Sequence, residues 1–469
     1  MDHPMNKLLL LPLPLLLVAC RPVGPTYAPP RPSVPEQFTS TGGTMATLSE
    51  WGSIWKDSQL QLLVKHALTE NPDQRVAEAR LRQARANQGI QEAAGGPEVG
   101  MGAKVSRDKM SENSGLISNI PAKNLKTEFT TYQAGFDASW EIDLFGHQRR
   151  LTEGARARTQ ASEERLRDVW LVLASEVTRN YVEYRMGQQR LVLAEESVRH
   201  HEELVRLTKL RVSTGDAASQ DLQRAEANRN QAQAALAGLG INLRQSLAAL
   251  SVLTATPLPE LDTQLRETTP LMAVPCAPAA GLPSELLQRR PDVRAAEREM
   301  AAACADVGVA QAERYPRFTI LGSGGWTSIS SGTLISSASS AWSVGPQLSL
   351  PLFNRGKLKN KVRANEAAYD AATETYRKSV LMAVADAEVA LTRVAKSEDR
   401  RLRIEDAERL SRESVKLSEL QAKAGEISKM SLLEARLNHA NQEDQKIQAH
   451  GQSLTALVSL QKALGGAWQ

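Results

Sequence analysis

Side chains that could carry out metal or catalytic chemistry are few in this sequence of 469 residues. One histidine-rich cluster lies inside a predicted helix and consists of His200, His201, Glu202 and Glu203. Neighbouring residues on a helix point about 100° apart, whereas a helical metal site uses positions i and i+4. The cluster therefore predicts a solvated helix face, and no metal site is expected.

A glycine-rich run, Gly322-Ser323-Gly324-Gly325, is a candidate phosphate loop. It lies within a predicted strand and lacks the following helix and lysine that phosphate-binding loops use. We interpret it as small-residue packing within a sheet. The sequence shows neither a nucleophile at motif spacing from a base nor paired acids in a cleft-like context. We expect neither an enzyme nor a bound cofactor.

The residue with a defined covalent chemistry is Cys20. Lys7 and the apolar residues 8–18 have the length of a secretory signal peptide, and Leu17-Val18-Ala19-Cys20 resembles a bacterial lipobox. We expect cleavage after residue 19 and attachment of diacylglycerol and an N-acyl chain to Cys20. Each buried CH₂ contributes about 0.8 kcal/mol, so several chains would anchor the protein by themselves. Arg21, in place of an inner-membrane-retaining Asp, favours the outer membrane; an unmodified Cys after a plain signal peptide is the alternative.

The remaining cysteines, Cys276 and Cys304, give no disulfide framework. An oxidising periplasm would permit them to pair. One is predicted in a loop and the other within a helix, so pairing stays open.

The composition indicates long helices rather than several compact domains. Aromatic residues make up 4% of the chain, and Ala, Leu, Glu, Arg and Gln are abundant. The net charge of +4 is modest and no Lys/Arg block stands out, so no nucleic-acid partner is expected. After the N-terminus no apolar run reaches the roughly 18 residues of a spanning helix. Strands must therefore make any membrane crossing.

Alternating stretches predict four strands, at residues 98–107, 127–144, 317–328 and 341–352. The second strand has one apolar face, formed by Thr130, Tyr132, Ala134, Phe136, Ala138, Trp140, Ile142 and Leu144. Its other face is polar and includes Gln133, Asp137 and Glu141. Successive strand side chains point to opposite sides, and a strand of this length can cross a bilayer with tilt.

Each strand pair leads into a very long predicted helix, at 146–213 and 355–423, followed by return helices at 219–253 and 427–464. Six positions seven residues apart, from Val177 to Val212, predict coiled-coil packing. Phe145 aligns with Phe353 and Gly215 with Gly425, about 210 residues apart, which indicates a duplication. The predicted segments are the signal peptide 1–19, a tether and equatorial segment 20–70, repeats 71–256 and 284–464, a connector 257–283 and a tail 465–469.

Four strands cannot close a barrel, and an open sheet edge is not tolerated in lipid. Because bacterial barrels start at eight strands, a cyclic oligomer is the natural solution. We therefore predict an α+β membrane protein whose cyclic oligomer forms a transmembrane β-barrel, four strands per chain, continuous with a long α-helical periplasmic barrel; a trimer would give a twelve-stranded barrel. Gln133, Asp137, Glu141 and Gln347 would line a water-filled bore. A soluble sheet is the alternative.

The chain resembles the TolC-type outer membrane factor family, in particular the NodT-like lipoproteins of tripartite efflux systems. The motifs that carry the resemblance are Cys20 with Gly24-Pro25-Thr26-Tyr27 and Pro29, Trp51, Trp55-Lys56-Asp57, Ala67-Leu68-Thr69-Glu70-Asn71, Trp140-Glu141-Ile142-Asp143-Leu144-Phe145-Gly146, Leu282-Pro283-Ser284, Leu287, Arg289-Arg290-Pro291-Asp292-Val293-Arg294-Ala295-Ala296-Glu297, Pro351-Leu352-Phe353 and Ala463-Leu464-Gly465-Gly466. The resemblance implies a homotrimer with a mixed equatorial belt. It also implies two partners, a periplasmic adaptor protein and an inner-membrane pump, often of the proton-driven resistance-nodulation-division (RND) type.

In this family the helix–turn–helix tips meet the adaptor and close the aperture. The resemblance assigns that role to Gly215, Asp216, Asp221, Gly425, Glu426 and Ser431. Family members often carry Asp at the positions of both Asp221 and Ser431, and here only the first copy keeps it. Ordinary glycine-capped hairpins are the alternative.

The functional hypothesis is a passive exit duct in the outer membrane, lipid-anchored and extending into the periplasm. It would export drugs or other small toxic compounds delivered by the pump and adaptor; metal ions, aromatic compounds and peptides also stay open. The alternative is a non-transporting coiled-coil structural lipoprotein that spans the periplasm. Such a tether would not need paired amphipathic strands.

Overall fold

The computed structural model of the chain describes residues 22–30, 35, 37–38, 55–111, 127–275 and 283–466. The predicted signal peptide, Cys20, Cys276 and the loop 112–126 lie outside the described residues. The helices and strands follow one another as α1 (Ser58–Glu70), α2 (Pro72–Ala93), β1 (Glu98–Lys109), β2 (Glu128–Ile142), α3 (His147–Ser213), α4 (Ser219–Thr254), α5 (Leu258–Leu265), α6 (Pro283–Arg289), α7 (Pro291–Ala312), β3 (Arg317–Ser328), β4 (Ser340–Ser349), α8 (Lys357–Lys423) and α9 (Lys429–Ala463). Most of the described chain is helical, with one small sheet.

The four strands form one antiparallel sheet in the order β1-β2-β3-β4. Ile142 of β2 lies opposite Phe318 of β3, which in turn lies opposite Leu348 of β4. Within the described chain β1 and β4 each pair on one side only, so both outer edges of the sheet carry unpaired main-chain groups.

Two predicted strands end earlier than expected. β2 stops at Ile142 because the Leu144 N–H donates to the Ile142 carbonyl at 2.9 Å, and the chain then turns at Gly146 with φ +84°. β4 stops at Ser349, two residues before Pro351, whose nitrogen cannot donate a hydrogen bond. The apolar residues after each strand therefore belong to the junction with the long helix.

Helices α3 and α8 each contain 67 residues, which corresponds to about 100 Å at 1.5 Å per residue. The described residues group into two compact units, each drawn from both predicted repeats. The first comprises described residues of Met1–Pro30, Arg82–Ala161 and Glu297–Thr375, and the second those of Arg31–Leu81, Ser162–Ala296 and Tyr376–Gln469. The predicted repeats are therefore not separate compact domains, since β2 of one repeat pairs with β3 of the other.

Of the helices described, α4 is long and apolar enough to cross a membrane by length and composition alone. From the sequence we expected no apolar run long enough for a spanning helix after the N-terminus, and α4 does not fit that expectation. The C-terminal turns of α4 bury Leu247, Leu250 and Thr254, and Arg244 lies 3.8 Å from Asp262. Helices of soluble proteins also meet this test, so it does not by itself assign α4 to a membrane.

The side chain of Arg185 is buried in the second unit. Its guanidinium donates to Gln188 Oε1 at 2.8 Å and to the carbonyls of Leu265 and Glu267 at 3.2 and 2.6 Å. It lies 5.2 Å from the ring of Tyr181. Burial raises the pKa of Tyr181 to about 12. Arg185 thus ties the chain after α5 to the middle of α3.

Replacing Arg185 with Met should lower the free energy of unfolding by about 2–4 kcal/mol, because buried carbonyls lose their donors. Thermal unfolding of the purified protein in detergent measures this. Arg403→Met is the matched control, since that side chain is 78% exposed beside Asp399. Equal melting temperatures for the two variants would contradict the assignment.

Candidate functional site

The four predicted bore residues share one face of the sheet. Glu141 lies opposite Thr319, and Thr319 lies opposite Gln347. Residues directly opposite in antiparallel strands point to the same side. Gln133 and Asp137 precede Glu141 by eight and four residues on β2, so they lie on this face as well.

Further polar side chains extend this face, which we call the polar face. Lys104 lies opposite Gln133, and Ser323 lies opposite both Asp137 and Ser343. The two serine hydroxyl oxygens are 3.2 Å apart. The polar face carries both charge signs and small hydroxyls, and that composition suits contact with water.

The opposite face of the sheet, here called the apolar face, is exposed to a degree unusual for soluble proteins. Met101, Trp342 and Val344 are 74%, 82% and 72% exposed. Other members of this face are Val99, Val105, Phe136, Trp140, Ile142, Ile320 and Leu348. A contiguous exposed apolar surface marks a membrane or protein contact. The Trp140 Nε1–H donates to the Gly95 carbonyl at 3.1 Å, so its indole nitrogen is satisfied.

Both long helices end in the same glycine motif. At the first tip the Asp216 N–H donates to the Arg211 carbonyl at 2.8 Å, and the Gly215 N–H donates to the Val212 carbonyl at 3.2 Å. This pair of bonds is a Schellman motif, which needs a left-handed residue at its centre. Gly215 has φ +83° and Gly425 has φ +78°. The second tip repeats the motif through Glu426, whose N–H donates to the Gln421 carbonyl at 2.9 Å.

The acidic residues of the first tip have local partners. Asp221 Oδ2 accepts the Ala218 N–H at 3.2 Å, at the start of α4. Asp216 Oδ2 accepts the Thr214 hydroxyl at 2.6 Å. In the second tip Ser428 caps α9 by accepting the Ser431 N–H at 3.1 Å. Asp221 therefore stabilises a helix start, and its exposed position leaves its charge available to other chains as well.

An ion pair joins the hairpin of α3 and α4 to the hairpin of α8 and α9 near their tips. Lys429 of α9 lies 2.7 Å from Glu203 of α3, and Arg206 also lies 2.7 Å from Glu203. The hydrogen bonds from Arg206 and Lys429 lower the pKa of Glu203 to about 2. Farther from the tips, Arg190 of α3 binds Asp444 of α9 through two contacts of 2.6 and 3.2 Å.

The solvated helix face predicted around His200 is wrong in part. His200 and His201 are half-buried, and burial lowers the pKa of both. Glu203 is held by Lys429, which follows it by 226 residues. Sequence spacing within α3 could not indicate a partner on α9. Among the described residues, no three His, Cys, Asp or Glu side chains group in a way that could hold a metal ion.

Residues 22–30, in the predicted tether, contain neither helix nor strand and pack closely against the rest of the first unit. The Val23 N–H donates to the Phe145 carbonyl at 2.9 Å. The buried Arg150 donates to the carbonyls of Val23 and Gly24, both at 3.3 Å. The Tyr27 hydroxyl donates to Glu297.

Glycines make this close approach possible. Gly24 has φ +97°, and a Cβ there would lie 2.5 Å from the Gly308 Cα. A Cβ on Gly146 would lie 2.6 Å from the Pro22 Cα. Pro22 therefore lies beside the junction between β2 and α3.

The second unit also contains a charged cavity of about 470 Å³ that the sequence did not indicate. Arg290, from the Arg290-Pro291-Asp292 motif, lines it and binds Asp292 at 2.6 Å and Asp386 at 3.2 Å. Arg179, Arg393, Lys462 and Glu176 also line the cavity. The motif thus connects the start of α7 to α8.

An exposed apolar sheet face backed by a polar one, with two very long helical hairpins, is the arrangement of a membrane channel subunit. The comparisons with known proteins agree. The family model described as outer membrane efflux protein matches residues 63–256 and 282–466, and the chain belongs to this family. It is an outer-membrane efflux channel protein that extends into the periplasm.

Individual relatives match over nearly their whole length. The antibiotic efflux pump outer membrane protein ArpC of Pseudomonas putida is 29% identical over 449 residues, which cover 95% of this chain and 89% of that protein. Outer membrane protein OprJ of Pseudomonas aeruginosa is 31% identical, covering 97% and 94%. The structure of the outer-membrane channel OprN superposes with a TM-score of 0.84 at 31% identity, covering 95% of this chain and 99% of that one. The predicted outer membrane factor fold is thus confirmed.

Gly24→Ala should displace residues 22–30, because the added Cβ meets the Gly308 main chain and the positive φ costs about 1–2 kcal/mol by itself. Hydrogen exchange at the Val23 amide should speed up and the melting temperature should fall. Gly89→Ala is the control, since a Cβ there has nothing within 4 Å. Unchanged exchange at Val23 would show that the segment does not need Gly24.

Proposed function

We propose that three copies of this chain form a twelve-stranded barrel continuous with an α-helical periplasmic tunnel. The observation that carries this is the sheet itself, whose β1 and β4 edges have no partner in the described chain. In lipid such edges would leave main-chain groups unsatisfied. All four strands are antiparallel to their neighbours, so β4 of one chain can pair with β1 of the next. Three chains then close the ring.

Closing the ring of strands places the two faces of the sheet in different environments. The apolar face turns to lipid, and the polar face with Gln133, Asp137, Glu141 and Gln347 lines a water-filled bore. The helices inherit the threefold symmetry, and their length suits a tunnel across the periplasm. The equivalent order of elements in the two halves, with Gly215 and Gly425 at equivalent ends, supports an internal duplication.

Lipid on Cys20 would hold the assembly in the outer membrane. The position of Val23 beside Phe145 supports this, because the chain three residues after Cys20 lies where β2 ends and α3 begins. Diacylglycerol and an N-acyl chain would insert into the periplasmic leaflet. We expect no other cofactor.

The duct would act without chemistry of its own. A periplasmic adaptor would meet the tips around Gly215 and Gly425, and an inner-membrane pump, of the RND type, would supply the energy. We infer that the cargo is drugs or other small toxic compounds, and the antibiotic-efflux relative supports this class. A coiled-coil tether that only spans the periplasm would leave the exposed apolar face without a use.

Reconstitution tests the duct. The purified lipoprotein should migrate as a crosslinkable trimer and form ion-conducting pores in planar bilayers. A strain lacking the gene should become sensitive to part of a panel of toxic compounds, and the intact gene should restore tolerance. A monomer without conductance would contradict the proposal, whatever the strain's phenotype.

Substitutions of Asp221 test whether its charge narrows the closed tip. If its charge narrows the closed tip, Asp221→Asn and Asp221→Ala should both raise single-channel conductance several-fold. Asn keeps an oxygen that can accept the Ala218 N–H and removes the charge, whereas Ala removes both. An increase with Ala alone would assign the effect to the helix cap. No change with either would exclude Asp221 as a gate.

A further inference from the structure

The two junctions between a strand and a long helix are covered to different degrees. After β2, Phe145 stacks on Tyr315 with ring centroids 4.9 Å apart. After β4, Leu352 and Phe353 are 87% and 85% exposed. Single exposed apolar residues are common on protein surfaces, but adjacent ones beside an unpaired strand edge indicate a contact surface.

The junction after β2 shows which part of the chain covers the end of a strand. Tyr315 precedes β3, and β3 is the strand that pairs with β2, with Phe318 opposite Ile142. The ring that covers the end of β2 therefore comes from the turn leading into the next strand of the sheet. Among the described residues of its own chain, β4 has no next strand.

The corresponding turn elsewhere in the chain is the one that leads into β1. It reads Gly95-Gly96-Pro97, where the turn before β3 reads Arg314-Tyr315-Pro316. Gly96 thus takes the place of Tyr315 and carries no ring there. Pro97 is exposed, and an aromatic ring packs well on a proline. The Gly95 carbonyl beside it already accepts the Trp140 Nε1–H.

The two free edges are also compatible in their faces. Leu348, Val344 and Trp342 of β4 lie on the apolar face, as do Val99 and Met101 of β1. An antiparallel β4–β1 pair that keeps this alternation buries no polar side chain in lipid.

We propose that Phe353 of one protomer packs on the Gly95-Gly96-Pro97 turn of the next protomer, at the point where β4 pairs with β1. The occupant of this exposed site is therefore a second copy of the chain. The inference rests on the proposed trimer and names the residues that join its subunits at the boundary between barrel and tunnel.

Thiol crosslinking tests the contact. In a background with Cys276→Ser and Cys304→Ser, Phe353→Cys combined with Gly96→Cys should give covalent dimers and trimers with a short bifunctional thiol reagent. Either substitution alone should give none. Phe145→Cys with Tyr315→Cys is the matched control, because its crosslink should form within one chain and leave the size unchanged.

The crosslinking result is interpreted together with trimer formation and pore conductance. A conducting trimer in which the Phe353→Cys and Gly96→Cys pair stays uncrosslinked would overturn this contact and leave the duct intact. A protein that forms no trimer would overturn the duct proposal itself. A fluorophore on Phe353→Cys should resist quenching by brominated phospholipid, and strong quenching would assign the residue to lipid.

A further variant tests how much Phe353 stabilises the trimer. Phe353→Ala should lower the temperature at which the trimer dissociates in detergent, as judged by gel mobility after heating. Ile335→Ala is the control, since Ile335 is likewise 85% exposed but lies in the loop between β3 and β4. Equal dissociation temperatures for the two variants would contradict a subunit contact at Phe353.

Discussion

The structure depends on the hydrogen-bonding groups at the two edges of a four-stranded sheet. Water can satisfy such groups, but lipid cannot. The apolar face of the sheet favours the membrane, while the free edges of β1 and β4 forbid it to a single chain. A sheet with this combination is incomplete alone, and the partner it needs is another edge of the same kind.

The long helices follow from that constraint. Each begins within a few residues of a strand end, α3 at His147 after Ile142 and α8 at Lys357 after Ser349. Whatever symmetry the strands adopt is therefore imposed on the first turns of the helices. The pair Glu203–Lys429 and the pair Arg190–Asp444 tie the two hairpins of a chain together, so the second hairpin follows the first.

The sequence predicted local structure correctly where a feature has a periodic pattern or a single local cause. Strand alternation placed Gln133, Asp137 and Glu141 on one face, and the glycines Gly215 and Gly425 marked the helix ends because a left-handed residue is needed there. Contacts between distant segments were not readable. Lys429 lies 226 residues from Glu203, and nothing near His200 indicates it. The role of Gly24 is visible only from its φ and from Gly308 beneath it.

The same distinction explains why two similar junctions differ within one chain. In a ring of duplicated chains, half of the contacts between successive repeats form within a chain and half form between chains. Phe145 has its neighbour in its own sequence, and Tyr315 and the N-terminal segment have become fitted to it. In the proposed ring, Phe353 meets a turn of two glycines and a proline, which fits a ring that arrives from another molecule. A junction that must form after folding benefits from a simple receiving surface, because no side chain has to move aside.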